Sequence, residues 1–183
     1  MKYSNNWLIE QLQNNQEINY IYFWGHHPAK NGATNQSCLS QWFDSPFEYE
    51  GNVYRTAEHW MMAEKARLFK DAESEQLILK STSPKEAKAL GRQVKNFDNN
   101  AWLAERVRIV TEGNALKFTQ NKDMGKYLLS TGNDVLVEAS PYDRIWGIGM
   151  KKDDRGVDDP RNWKGGNLLG YVLMEVRGMV KAN

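Results

Sequence analysis

Two stretches of the chain carry residue types that could break a bond. The first is AEHWMMAEKARLF, residues 57–69, in which Glu58 and Lys65 stand seven residues apart. On a helix that spacing puts both within about 20° of one face and about 10 Å apart along the axis. Met61, Met62 and Phe69 lie on or beside the same stripe, so an acid and an amine emerge from a surface that otherwise reads as core-facing. A carboxylate there is costly unless paired or used, although a structural ion pair at the helix edge has the same spacing. The second stretch is EASPYDRIWGIG, residues 138–149. A strand end passes into a turn with two carboxylates, Glu138 and Asp143, then Arg144, Trp146 and the pair Gly147 and Gly149, which let backbone approach a ligand. Pro141 and Asp143 are equally at home in a plain turn. The glycines lack the strand–GxGxxG–helix context of a dinucleotide fingerprint.

Arg92, Lys95, Arg106, Arg108 and Lys117 supply cations in the middle of the chain, with Trp102 among them. Phosphate recognition uses such groups, and solvated helix faces carry them too. His26, His27 and His59 lack the spacing of a zinc site, and Cys38 is a single candidate ligand. Asp153, Asp154, Asp158 and Asp159 suit either a hard cation or a solvated loop. No metal and no organic cofactor is expected. Two carboxylates, a lysine and aromatic stacking surfaces suit glycosidic cleavage. Its transition state is oxocarbenium-like, so one carboxylate steadies positive charge or activates water while an acid helps the base depart. Other chemistries use the same groups, and spacing does not choose between them.

These residues need elements to position them. INYIYFW, 18–24, reads as a strand ending at Gly25, followed by a long loop to residue 45. Residues 47–55 read as a β-hairpin around Glu50-Gly51-Asn52. Thr56 caps a helix to about residue 69, and a short helix follows near 72–80. Ser83, Pro84 and Glu86 start another that ends at Gly91. Asp98 caps a long helix over about 99–120, and a further one covers about 122–130. DVLVEA, 134–139, alternates like a strand; residues 147–166 form a loop, and Asn167 opens a final amphipathic helix. Residues 1–17 read as a loosely docked arm or short helix, and 18–183 as one domain. The predicted class is mainly α (α+β), a single compact helical domain with a small β-hairpin/sheet element.

With 183 residues, 40% of them apolar and 26% charged, the chain has the composition of one globular domain rather than a disordered segment. A formal net charge of +1 sets up no global field toward DNA or a membrane surface. No apolar run approaches the roughly 18–20 residues of a membrane span, and the first residues lack a secretory apolar core. One cysteine makes no internal disulfide, so a cytoplasmic protein without a membrane partner is expected. Seven Trp and eight Tyr serve either as core filler or as walls that stack a flat ligand.

Six segments, in order, carry a resemblance: SCLSQW, SPFEYEGNVYRTAEHWMMAEKARLF, SPKEAKALGRQVKNFD, GNALKFTQN, LLSTGNDVLVEASPYDRIWGIGM and NLLGYVLMEVR. Together they resemble the NADAR family from about Ile21 to Arg177. The resemblance implies an N-glycosidase. Some members cleave the ribosylamino bond of phosphorylated ribosylaminopyrimidines, early intermediates of the riboflavin pathway; others remove ADP-ribose from guanine in nucleic acid. It implies catalytic roles for Glu58, Lys65 and Asp143. It also implies substrate contacts at Trp24, Gly25, Ser40, Trp42, Arg92, Trp102, Trp146, Gly147, Gly149 and Asn167. Lys65 would hold the ribose or phosphate, or attack an opened sugar aldehyde. The expected substrate is a small phosphorylated N-riboside. ADP-ribosylated nucleic acid is one alternative, and a non-catalytic module binding ADP-ribose or a nucleotide is another. Ser40-Gln41-Trp42 stands where many members have Ser-Asn-Phe, which implies a pocket mouth shaped for a different substrate within the class.

Overall fold

A computed structural model describes residues 1–182. In chain order they form α1 (Asn5–Gln13), β1 (Tyr20–Phe23), β2 (Phe47–Tyr49), β3 (Asn52–Tyr54), α2 (Ala57–Leu68), α3 (Ala72–Lys80), α4 (Pro84–Gly91), α5 (Asn99–Gln120), α6 (Lys122–Ser130), β4 (Val135–Glu138) and α7 (Leu168–Ala182), with single 3-10 turns at Gln36–Leu39 and Pro160–Asn162. The class is the predicted one, mainly α with a small β part. The helix starts follow from local chemistry. Ser4, Thr56, Asp71, Ser83 and Asp98 each accept a hydrogen bond from a backbone N–H in the first turn of the helix they precede, satisfying a donor that has no partner inside the helix. At α4 the Glu86 carboxylate accepts from the Thr82 N–H at 2.9 Å, one residue upstream of the Ser83 cap, so the capping box is wider than the sequence predicts. No described helix is long and apolar enough to cross a membrane.

The core forms around α2, whose residues 57–63 are all buried. It packs against α3, α4 and α5, while α7 packs against α5 and β4. Gly113, which helix propensity alone merely tolerates, marks the crossing of α2 and α5: a Cβ there would lie 2.2 Å from Cδ1 of Trp60. The Trp60 indole N–H donates to the Ile109 carbonyl at 2.8 Å, which gives a ring packed against Phe47, Tyr49 and Tyr54 a partner for its polar atom. α1 is seated by the fully buried Leu8 and by Asn5, which donates to the Gly165 carbonyl at 3.2 Å and accepts from the Tyr171 hydroxyl at 2.9 Å.

The strands decide where a site can form. β2 and β3 make an isolated antiparallel hairpin, turned by Glu50 and Gly51 at φ 49° and 76°, the left-handed pair that a two-residue hairpin requires. β1 and β4 pair in parallel, Tyr20 opposite Val135 and Phe23 opposite Glu138. Parallel strands end at the same edge, so the segments starting at Trp24 and Ala139 leave side by side. That carboxyl edge is where open parallel sheets hold ligands.

Lys117, one of the five middle-chain cations that suited either a phosphate or a solvated helix face, is instead fully buried beneath the 36–42 segment. Its ammonium donates to the Ser40 carbonyl at 2.8 Å. Burial pulls its pKa down to about 7, opposed by the nearby Cys38 thiol. The unfolded chain keeps that proton up to the ordinary lysine range, whereas the folded chain sheds it from about 7 upward. Folding therefore expels a proton between those values, and this group's contribution to stability increases with pH across that window. Urea unfolding of Lys117→Met is expected to have a smaller pH slope above pH 7 than the wild type.

Candidate active site

The carboxyl edge of β1 and β4, one face of α2, and the ends of α4 and α5 enclose a cleft of about 1020 Å³. Ten of the thirteen residues singled out from the sequence line it: Glu58, Lys65 and Asp143, with Trp24, Gly25, Ser40, Trp42, Arg92, Trp102 and Trp146. The early helix and the late turn thus meet across one space. α2 supplies Glu58 from its first turn and Lys65 two turns later, as their spacing requires.

Gly147, Gly149 and Asn167 do not line the cleft; they hold its wall. Asn167 is fully buried, takes the Glu138 N–H on Oδ1 at 3.0 Å and donates to the Leu136 carbonyl at 2.9 Å. It pins β4 to the start of α7. Gly149 turns the chain at φ 66°, in the left-handed region that favours glycine. At Gly147 the requirement is space: a Cβ would stand 2.8 Å from the Glu138 carbonyl oxygen and 3.0 Å from that of Asp143. Both contacts are backbone, so an added methyl must move the segments that carry both carboxyls. Gly147→Ala is expected to lower kcat by about 10²-fold, the scale of a small misplacement of catalytic groups, while the protein still folds by circular dichroism.

The cleft's electrostatics are unusual. Glu58 is 2% exposed, and its Oε1 has no hydrogen-bond partner. Its place in the first turn of α2 favours the charged form, yet burial outweighs that and lifts its pKa to about 7. Lys88, the Trp42 side chain and Arg92 oppose the rise, and the Asp143 carboxylate adds to it. Glu138, at the end of β4, has a buried Oε2 with no partner. Burial, then the charge of Asp143, raises it to about 8. Asp143 is differently placed: its Oδ1 accepts from the Ile145 and Trp146 N–H groups, both at 2.8 Å. Glu58 and Glu138 are thus both harder to ionise than free carboxyls. The Lys65 ammonium donates to the Gly91 carbonyl at 2.7 Å and lies 4.4 Å from the centre of the Phe97 ring and 5.8 Å from that of Trp102. Burial lowers its pKa.

The other cations separate cleanly. Arg92 lines the cleft. Lys95 pairs with Glu73, and Arg108 with Glu105 and Glu112, all on exposed surface. Arg106 lies 6.0 Å from the Trp146 ring. Sequence reasoning missed Lys88 as a lining residue, and it noted Glu138, Arg144 and Gln41 without counting them among the site residues. Lys88 had a signal, since it sits four residues before Arg92 and shares its face. Glu138 had one too, as the polar end of an apolar strand before a Pro turn. Among the described residues no group of three His, Cys, Asp or Glu is arranged to hold a metal ion.

Comparison with known proteins identifies the family. The NADAR domain model matches residues 22–181. The chain is 45% identical to N-glycosidase R617 of Acanthamoeba polyphaga mimivirus, over 86% of this chain and 94% of that protein. It is 33% identical to N-glycosidase Npun_R5314 of Nostoc punctiforme, over 79% and 85%. The solution structure of Escherichia coli YbiA shares the fold with a TM-score of 0.69 at 24% identity, covering 91% of this chain and 88% of that one. The chain belongs to the NADAR family and is an enzyme of the N-glycosidase class.

Proposed function

We propose that this enzyme hydrolyses the N-glycosidic bond between a base and a phosphorylated ribose, in a small N-riboside of the ribosylaminopyrimidine type. The observation that carries the reading is one cleft holding carboxyls of unequal proton affinity, a desolvated lysine and indole rings. Glu58 and Glu138 keep protons near neutrality, so an acid is present together with the Asp143 carboxylate. Glu58, beside the Trp42 side chain, donates its proton to the base nitrogen as the C1–N bond breaks. Asp143 steadies the oxocarbenium and takes a proton from the water that adds to C1. Lys88, Arg92 and Arg144 offer cations to the phosphate. Trp42 and Trp146 offer faces to a flat base. Lys65 holds the sugar or forms an imine with its opened aldehyde; in the second case borohydride traps a covalent adduct with the wild type and none with Lys65→Met.

A second reading, removal of ADP-ribose from guanine in nucleic acid, is favoured by the size of the cleft and by two rings at its mouth. Its volume is at the upper end of the roughly 300–1,000 Å³ usual for small-ligand pockets. Trp24 is 56% and Tyr142 85% exposed, with ring centres 6.1 Å apart, as a stacking platform for an unpaired base would be. Incubating the enzyme with a ribosylaminopyrimidine phosphate and, separately, with an ADP-ribosylated oligonucleotide decides between them. Release of free pyrimidine is the expected result. Restoration of unmodified guanine, with no turnover of the small substrate, would select the second reading.

A further inference from the structure

We propose that Gln41 is a specificity residue whose side-chain oxygen, fixed in orientation from behind by Asn114, accepts a hydrogen bond from a donor group of the substrate. The inference rests on the cleft being the substrate site. Gln41 lines the cleft and is 8% exposed, and its Oε1 is buried without a partner. Its other amide atom is committed: Nε2 donates to Asn114 Oδ1 at 3.0 Å. An amide can in principle turn over and exchange its donor and acceptor ends. Here it is held. Asn114 is fully buried on α5 and donates through Nδ2 to the Val110 carbonyl at 2.8 Å. A carbonyl only accepts, so Asn114 must turn its nitrogen to Val110 and its oxygen to Gln41. Gln41 must then turn its nitrogen to Asn114, which leaves its oxygen as the uncommitted end of a side chain that lines the cleft. The polarity of one helix carbonyl is relayed through two amides to that oxygen.

The backbone around Gln41 is held as firmly. The Ser40 carbonyl accepts from the buried Lys117 ammonium at 2.8 Å, and the Gln41 carbonyl accepts from the Glu58 N–H at 3.0 Å. Gln41 and the catalytic Glu58 are therefore neighbours through the main chain; both residues line the cleft, and each has a buried oxygen without a partner. Two such acceptors match a ligand carrying two donors. The vicinal hydroxyls of a ribose have that chemistry, and so do the amino and ring N–H groups of an aminopyrimidine. A ligand lacking the donor leaves Gln41 Oε1 desolvated and unpaired, which is the usual source of strong discrimination by polar sites.

Binding read by tryptophan fluorescence tests this with two sets of probes. The sugar set is methyl ribofuranoside 5-phosphate and its 2-deoxy and 3-deoxy analogues. The base set is cytosine and its 4-desamino analogue. Wild type is expected to favour the donor-bearing member of one set by at least about tenfold, and Gln41→Met to bring that ratio close to one. The set in which the ratio collapses identifies the donor. In Asn114→Leu the Gln41 amide is free to turn over, so the same preference should fall although Gln41 is still present, an effect that loss of stability alone does not produce. Ratios that Gln41→Met leaves unchanged in both sets would overturn the proposal. Failure of every sugar phosphate to bind, with the base set still bound, would overturn the phosphoribosyl reading and leave Gln41 to be judged on the bases. Binding of neither set would overturn both.

Discussion

Glu58→Gln is expected to lower kcat by at least about 10²-fold, the usual contribution of a general acid, and at the same time to make the protein more stable at pH 8. The two effects have one origin. The folded protein holds the Glu58 proton up to about 7, whereas the unfolded chain releases it in the ordinary carboxylate range. Folding therefore takes up a proton between those values, and stability from this group is full below the unfolded pKa and lost as pH rises through about 7. At pH 8 the wild type carries a buried charge that Lys88 and Arg92 only partly offset. Glutamine keeps the shape and removes that charge. Melting curves at pH 4 and pH 8 should show the variant's advantage at the higher pH and little at the lower. A variant that lost activity and stability together at pH 8 would mean that Glu58 is a structural carboxylate.

Replacing Asp143 separates two roles that one side chain combines. Asp143→Asn keeps an oxygen for the Ile145 and Trp146 N–H groups, each now 2.8 Å from Oδ1, but removes the charge. Its kcat should fall by at least about 10²-fold, as expected for loss of a catalytic base, with KM little changed. Asp143→Ala should add an increase in KM, because the turn carrying Arg144 and Trp146 loses the acceptor that shapes it. Steady-state kinetics on the two variants checks this. Equal kcat values for Asp143→Asn and wild type would remove Asp143 from the chemistry and leave it a turn residue.

The elements were largely legible because their signals are local. Caps at Thr56, Ser83 and Asp98, the Glu50-Gly51 hairpin and the apolar runs of β1 and β4 each act over a few residues. What the sequence could not convey was which distant segments meet. The β1–β4 pairing joins Tyr20 to Val135, and nothing in either strand names its partner. The same limit hid the pairing of Gln41 with Asn114 on another element. It also concealed the burial of Lys117, because a lysine on a helix reads as solvated or ligand-facing until the segment above it is in place. Glu58 and Lys65 were readable since their helix alone aligns them; the resemblance, rather than the spacing, connected them to Asp143.

The parallel strand pair has a consequence for how the enzyme comes into being. The helices from α2 to α5 follow one another closely and make neighbouring contacts, whereas β1 must wait for β4, which lies far along the chain. Closing so large a loop is slow compared with forming adjacent helices. During refolding from urea, far-ultraviolet ellipticity should therefore return ahead of the capacity to capture a ligand, and a truncated chain ending before Val135 would hold Glu58 and Lys65 on a helix facing no opposite wall.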